Sequence, residues 1–292
     1  YFLIYQDMAN WAHENKIPIN TRGSAAGSLV SYSLKITTVD PIAYNLPFER
    51  FLNPLRPSAP DIDMDIADSK RDQMIDYLIS KYGADKVAQI CTFGRMLAKG
   101  SVRDVARVLG YPYEIGDNIS KLIPEGAQGF PMTIERALKE SSELADSYSK
   151  NADTKKIIDL SKQIEGNARH ISMHAAGVVI SPSKLTDFTP LQSAEHNGVK
   201  KLITQYEMHA VEDVGLVKLD ILGIRNLSIL QDAVYLVEKT TGEEIDLINL
   251  NLEDKKTFEM LARGETMGLF QLNGDGMTRY LKELRPTNIN DI

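Results

Sequence analysis

The chain has 292 residues, 43% of them hydrophobic and 25% charged, enough for one large domain or two to three smaller ones with ordinary cores. A net charge of −7 excludes a uniformly basic nucleic-acid binder, so any contact with a polyanion has to come from a local patch. One cysteine, Cys91, excludes an internal disulfide framework and favours a reducing compartment, and neither a bilayer-spanning apolar run nor a secretory signal pattern is visible.

In chain order, residues 1–19 predict a helix followed by a short strand at Ile17-Pro18-Ile19, because Phe2, Leu3, Met8 and Trp11 recur at helical spacing. Arg22-Gly23-Ser24-Ala25-Ala26-Gly27-Ser28 reads as a small-residue turn leading into a helix. A helix is expected from about Ser69 to Tyr82, stopped by Gly83. Residues 87–93 are apolar and β-prone, and residues 96–109 are helical up to Gly110. Residues 111–168 hold charged amphipathic segments separated by loops such as 124–131 and read as a helical insertion. Strand character returns at 177–180 and 215–222. From Arg225 onwards helices alternate with one short apolar strand at 268–272. The opening at Tyr1 and the close at Asn-Ile-Asn-Asp-Ile read as an excerpt of something longer.

Asp61, Asp63 and Asp65 stand at alternate positions directly after Pro60. In a strand they share one face, while Ile62, Met64 and Ile66 form the other. Like charges on one face are destabilising unless a cation sits on them. Mg²⁺ takes hard oxygen ligands and suits phosphate chemistry, so the segment points to phosphoryl or nucleotidyl transfer. In Gly-Leu-Val-Lys-Leu-Asp-Ile-Leu-Gly, alternation puts Lys218 and Asp220 on one face. Asp220 could complete a cluster holding two Mg²⁺ ions, and Lys218 could meet a phosphate. The plainer alternative is an ion pair at a sheet edge.

Three further features are weaker alone. Gly23 and its small neighbours let the backbone approach a ligand. The helix start behind them suits phosphate, with Arg22 adding a fixed charge. Such turns also serve tight helix packing. Lys99, Arg103 and Arg107, at i, i+4 and i+8, line one helix face within a stretch carrying four basic residues and one acid. Val102, Val105, Ala106 and Leu109 can face the core. The stripe could follow a phosphate backbone, or be a solvated face. Arg50 and Arg56 flank the loop before the aspartates. His170 and His174 fall where a helix is expected to end and lack further zinc ligands.

The blocks RGSAAGSLVSYSLKIT, FERFLNP, PDIDMDI, TFGRMLAKGSVRDVARVLG, HAAGVVISP, GLVKLDILG and FQLNGDGM, in that order, resemble the C-family replicative DNA polymerases of bacteria, the polymerase III alpha subunits. The resemblance covers essentially the whole chain. It implies an α+β fold: a polymerase-beta-like nucleotidyltransferase palm with a mixed β-sheet (residues 1–94 and 171–225), an inserted helical thumb (95–170) and the start of helical fingers (226–292). It matches Asp61, Asp63 and Asp220 to catalytic metal ligands, with Asp65 auxiliary. Gly23 and Ser24 match the family's Gly-Ser motif. Arg22, Arg50 and Lys218 match basic residues near the incoming triphosphate, and Lys99, Arg103 and Arg107 fall near primer–template DNA. Where relatives usually carry Glu-Ser, this chain has Asn273-Gly274.

The implied function is template-directed DNA synthesis with two Mg²⁺ ions, a deoxynucleoside triphosphate and primer–template DNA, in the bacterial cytoplasm and without a membrane. A sliding clamp and other replisome subunits are the implied partners of the full-length protein. The alternatives are a template-independent nucleotidyltransferase and a fragment that only binds DNA weakly.

Overall fold

A computed structural model of the protein describes residues 1–55, 60–126, 130–196 and 198–292. The chain opens with α1 (Phe2–Glu14), β1 (Ile19–Arg22), a 3-10 turn over Gly23–Gly27, α2 (Leu29–Ser33) and a second 3-10 turn over Phe48–Arg50. Then come β2 (Asp63–Ala67), α3 (Arg71–Tyr82), β3 (Val87–Arg95) and five helices: α4 (Ala98–Val108), α5 (Tyr113–Lys121), α6 (Ile134–Glu140), α7 (Ser142–Lys150) and α8 (Ala152–Ile164). Next are β4 (Ala168–Ile180), β5 (Leu191–His196), β6 (Val199–Thr204), α9 (Met208–Asp213) and β7 (Val217–Ile224). Three helices close the chain: α10 (Arg225–Thr241), α11 (Lys255–Arg263) and α12 (Asp275–Leu284).

The chain divides into two compact units, residues 1–84 with 219–292, and residues 85–218. In the first, β2 lies between β1, antiparallel to it, and β7, parallel to it. Ile62, Met64 and Ile66 are fully buried, as are Leu219 and Ile221 of β7. The core face of α1 is Tyr5, Met8, Ala9 and Ala12, a helical i, i+3, i+4, i+7 line. It is not the face expected from the bulkiest apolar residues, since Leu3 is 73% exposed. Trp11 stacks on Tyr77 of α3, with ring centroids 4.9 Å apart. Asp7 beside them accepts hydrogen bonds from Tyr77 and Tyr82. Farther along this unit, Phe258, Leu261 and Leu281 of α11 and α12 form a small separate core.

In the second unit, β3 pairs antiparallel with β4 and parallel with β6, and β5 closes an antiparallel hairpin with β6. Helices α4 to α8 share a core built on Val102, Ile119, Ile123, Ile134, Leu144, Ile157 and Ile158. Strand pairing is therefore mixed in both units, with helices packed around it, as the expected mixed sheet requires.

Five readings need correction. The short strand expected at Ile17-Pro18-Ile19 lies instead at Ile19–Arg22, because Pro18 has no N–H to give a ladder and pairing with β2 begins at Ile19. β4 begins at Ala168, not Gly177, so His170 and His174 lie on a strand and not at a helix end. Its first residues are exposed and lack an apolar rhythm, and pairing with β3 holds them extended. The β5–β6 hairpin was not anticipated, because its strands are largely polar and exposed. Residues 268–272 form turns and not a strand: Gly268 and Gln271 have positive φ (80° and 62°), which interrupts any extended run. The helix after the small-residue turn is only five residues long, so the N-terminal phosphate site expected there is not formed by a regular helix.

Helices α4 and α5 approach closely at Gly116, where an added Cβ would lie 2.9 Å from Ala106 Cβ and 3.3 Å from Arg103 Cα. Gly116→Ala is expected to destabilise this helical core by about 1–3 kcal/mol through overpacking. A lowered urea midpoint with an unchanged slope would register it; an unchanged midpoint would show that the two helices separate at little cost.

Candidate active site

The site begins with backbone register. In the parallel pair β2–β7, Asp63 lies opposite Asp220 and Met64 opposite Ile221. Asp61, two residues before Asp63, brings a third carboxylate. Ligand oxygens of Asp61, Asp63 and Asp220 lie within 4.8 Å of one another. Asp61 and Asp63 are exposed, whereas Asp220 is buried. Partial desolvation raises the Asp63 carboxyl above the usual carboxylate range, and the charges of Asp61 and Asp220 push it the same way. Three acidic oxygen donors converging on one point fit a hard divalent cation, which would relieve that repulsion.

Asp65 lies outside this cluster. It is buried, and Arg22 grips it in a bidentate ion pair, with Nε on one oxygen and Nη2 2.9 Å from the other. The pairing of β1 with β2 sets Arg22 opposite Asp63, and its side chain reaches two residues along to Asp65. The guanidinium also lies 5.9 Å from the Phe270 ring. Gly23 follows directly with φ of 79°; an added Cβ there would sit 3.9 Å from Asp63 Oδ2. The backbone of the small-residue turn thus borders the acids, with Ser24 half-buried beside it. Gly27 in the same turn packs against the Pro47 carbonyl, which an added Cβ would approach to 2.8 Å. That contact sets the 3-10 turn bearing exposed Arg50 next to the small-residue turn.

Lys218 stands two residues before Asp220 on β7, mostly buried, with Nζ 4.0 Å from Glu212. Arg56 lies outside the described residues. In the second unit, each cation of the α4 stripe meets an acid: Lys99 meets Glu125, Arg103 meets Asp117 at 3.0 Å, and Arg107 meets Asp104 at 3.3 Å. Asp104 also holds Arg169. Val102, Val105 and Ala106 are buried beneath the stripe, as their spacing implied, and Leu109 packs at the edge of that core. The histidines are structural here. His174 Nδ1 accepts the backbone N–H groups of Ala176 and Gly177, and the His170 ring covers Gly94.

Sequence reasoning missed three supports of the acidic strands. Tyr5 is fully buried; its hydroxyl donates to the Ile62 carbonyl (2.6 Å) and accepts the Asp220 N–H (3.0 Å). The Tyr1 hydroxyl accepts the Ile62 N–H at 3.1 Å. Burial raises both phenols above their ordinary pKa. Arg71 at the start of α3 donates Nε–H to the Ile221 carbonyl (2.8 Å), bracing β7 beside Asp220. The signal for the tyrosines was their i, i+4 spacing on one helix face; nothing local marked Arg71.

Residues 1–223 match the model of the bacterial DNA polymerase III alpha NTPase domain. Residues 226–292 match that of the alpha-subunit finger domain. The chain belongs to the bacterial DNA polymerase III alpha family. Among its relatives, the DNA polymerase III subunit alpha of Thermus aquaticus is 46% identical over 293 residues, covering all of this chain and 24% of the relative. The corresponding subunits of Bacillus subtilis (strain 168) and Escherichia coli (strain K12) are 46% and 44% identical, again over the whole chain and over 26% and 25% of their own lengths. The chain thus spans about a quarter of the length of these relatives. Among the described residues, no helix is long and apolar enough to cross a membrane.

The raised Asp63 carboxyl makes a pH-dependent prediction. A carboxyl whose folded-state pKa exceeds its unfolded value makes the ion-free fold lose stability as pH rises through that interval. Divalent cations bind the ionised form, so their stabilisation is present above the raised pKa and lost below it. The Mg²⁺-induced rise in Tm is expected to be larger at about pH 7.5 than at about pH 5. Thermal melts with and without Mg²⁺ at both pH values test this, and a pH-independent increment would count against the cluster as a cation site.

Proposed function

We propose that this chain is the palm, thumb and initial fingers of a replicative DNA polymerase of the bacterial cytoplasm, and that it carries the nucleotidyl-transfer centre. The carrying observation is the convergence of Asp61, Asp63 and Asp220 across the β2–β7 register. On this reading residues 1–94 and 171–225 are a polymerase-beta-like palm, 95–170 the thumb and 226–292 the start of the fingers. In the reaction, the primer 3′-hydroxyl attacks the α-phosphate of a deoxynucleoside triphosphate, a new P–O bond forms, and pyrophosphate leaves.

Asp61, Asp63 and Asp220 are the groups that would hold two Mg²⁺ ions. Bound there, the ions would acidify the primer hydroxyl and neutralise charge on the triphosphate. The chain's own residues do the rest. Gly23 leaves room beside Asp63 for a phosphate to approach the backbone, and the Ser24 hydroxyl can donate to it. Arg22, anchored on Asp65, presents a pre-oriented guanidinium edge, so little side-chain entropy is lost on meeting the triphosphate. Lys218, on the Asp220 face of β7, and Arg50 supply further positive charge. Lys99, Arg103 and Arg107 follow the backbone of primer–template DNA, exchanging their acidic partners for phosphates. In the full-length protein, a sliding clamp and other replisome subunits are the further partners.

One observation favours a second reading. Because every cation of the α4 stripe already has an acid, a nucleotidyltransferase without duplex binding is also consistent with the palm. Incorporation that follows the template base separates the two. In primer extension, Asp61→Asn, Asp63→Asn or Asp220→Asn is expected to cost more than the roughly 10–100-fold that loss of an outer-shell partner costs, with DNA affinity largely kept. Wild-type rates in any of the three would defeat the assignment. Arg103→Ala should reduce the slope of log binding constant against log salt by about one. An unchanged slope would return Arg103 to a purely structural pairing with Asp117.

A further inference from the structure

We infer that Tyr5 is a positioning residue for the acidic triad: its buried hydroxyl sets the spacing between the segment that presents Asp61 and Asp63 and the strand that presents Asp220. The inference rests on the reading of the triad as a metal site and names the group that holds it in shape.

Three observations carry it. First, Tyr5 is fully buried, and a hydroxyl in such a place is costly unless it is hydrogen-bonded. Second, the bonds it makes are specific to the triad. It donates to the carbonyl of Ile62, the residue between Asp61 and Asp63, at 2.6 Å, and accepts from the N–H of Asp220 itself at 3.0 Å. Third, the β2–β7 pairing begins at Asp63 and Asp220, so Tyr5 bridges the two segments where regular pairing starts. Tyr1, the N-cap of α1, completes the brace by accepting the Ile62 N–H at 3.1 Å, so two tyrosine hydroxyls hold both backbone polar groups of Ile62. The two rings meet edge-on with centroids 5.0 Å apart, which limits their freedom to swing away.

The chemistry makes the spacing matter. Mg²⁺ demands near-ideal octahedral geometry at about 2.0–2.1 Å, so carboxylates displaced by a few tenths of an ångström bind it less well. Phenylalanine at position 5 keeps the ring and removes the bridge, leaving the Asp220 N–H and the Ile62 carbonyl without that partner. The predicted consequence is a loosened triad in a chain that still folds.

The test is titration of the 292-residue chain with Mn²⁺, an oxygen-seeking stand-in for Mg²⁺ visible by electron paramagnetic resonance, with folding checked by near-UV circular dichroism. Tyr5→Phe is expected to weaken Mn²⁺ binding by about tenfold, the scale of an outer-shell partner. Tyr77→Phe, which loses a hydrogen bond to Asp7 remote from the acids, should bind as wild type. Asp220→Asn should lose the site. If wild type binds, Asp220→Asn does not, and Tyr5→Phe matches wild type, the positioning role is overturned while the metal site stands. If wild type and Asp220→Asn bind equally, or neither binds, the metal-site reading fails and this inference fails with it. If Tyr5→Phe does not fold, Tyr1→Phe decides: weakened Mn²⁺ binding supports the tyrosine brace, and wild-type affinity overturns it.

Discussion

Parallel pairing of β2 with β7 in one register is the constraint on which the rest of the site depends. Asp63 and Asp220 are remote in sequence and become opposite neighbours only because these two strands lie side by side in that register. A slip of one residue would turn Asp220 to the face that Leu219 and Ile221 now fill, and turn those two apolar side chains to the acidic face. Apolar side chains therefore enforce the register that gathers the charges. Met64 and Ile221 are opposite each other and both fully buried, so the same alternation that builds the core aims the acids together.

The concentration of carboxylates is supported from several directions. Tyrosine hydroxyls from α1 hold the segment between Asp61 and Asp63, and Arg71 braces β7. Arg22 neutralises Asp65, which would otherwise add a fourth negative charge in a place nearly closed to water. Alternation had grouped three aspartates on one strand as equivalent. Tertiary contacts give them different roles: two stand exposed in the cluster, and one forms a buried ion pair.

The helical part of the second unit follows a different economy. Its core is ordinary aliphatic packing, while its surface is laced with ion pairs, including those on α4. Such exposed pairs contribute little to stability, typically under about 1 kcal/mol each. Their partners can be exchanged cheaply, which is a useful property for a face that meets a polyanion.

Local sequence determined those features governed by near neighbours. Glycine stops after α3 and α4, the apolar alternation around Ile62, Met64 and Ile66, and the amphipathic face of α4 were all legible because the residues concerned are adjacent or one turn apart. The motif order also identified the family, since side-chain chemistry leaves a pattern in the chain itself. The β5–β6 hairpin was missed although Asn197-Gly198 is a hairpin signal, because its strands carry too few buried residues to register as alternation. The resemblance had singled out Asp61, Asp63 and Asp220, but only the tertiary structure brought their oxygens together, committed Arg22 to Asp65 and joined Ile62 to Asp220 through Tyr5. Those facts depend on strand order and register between distant segments, and no local rule of spacing encodes them.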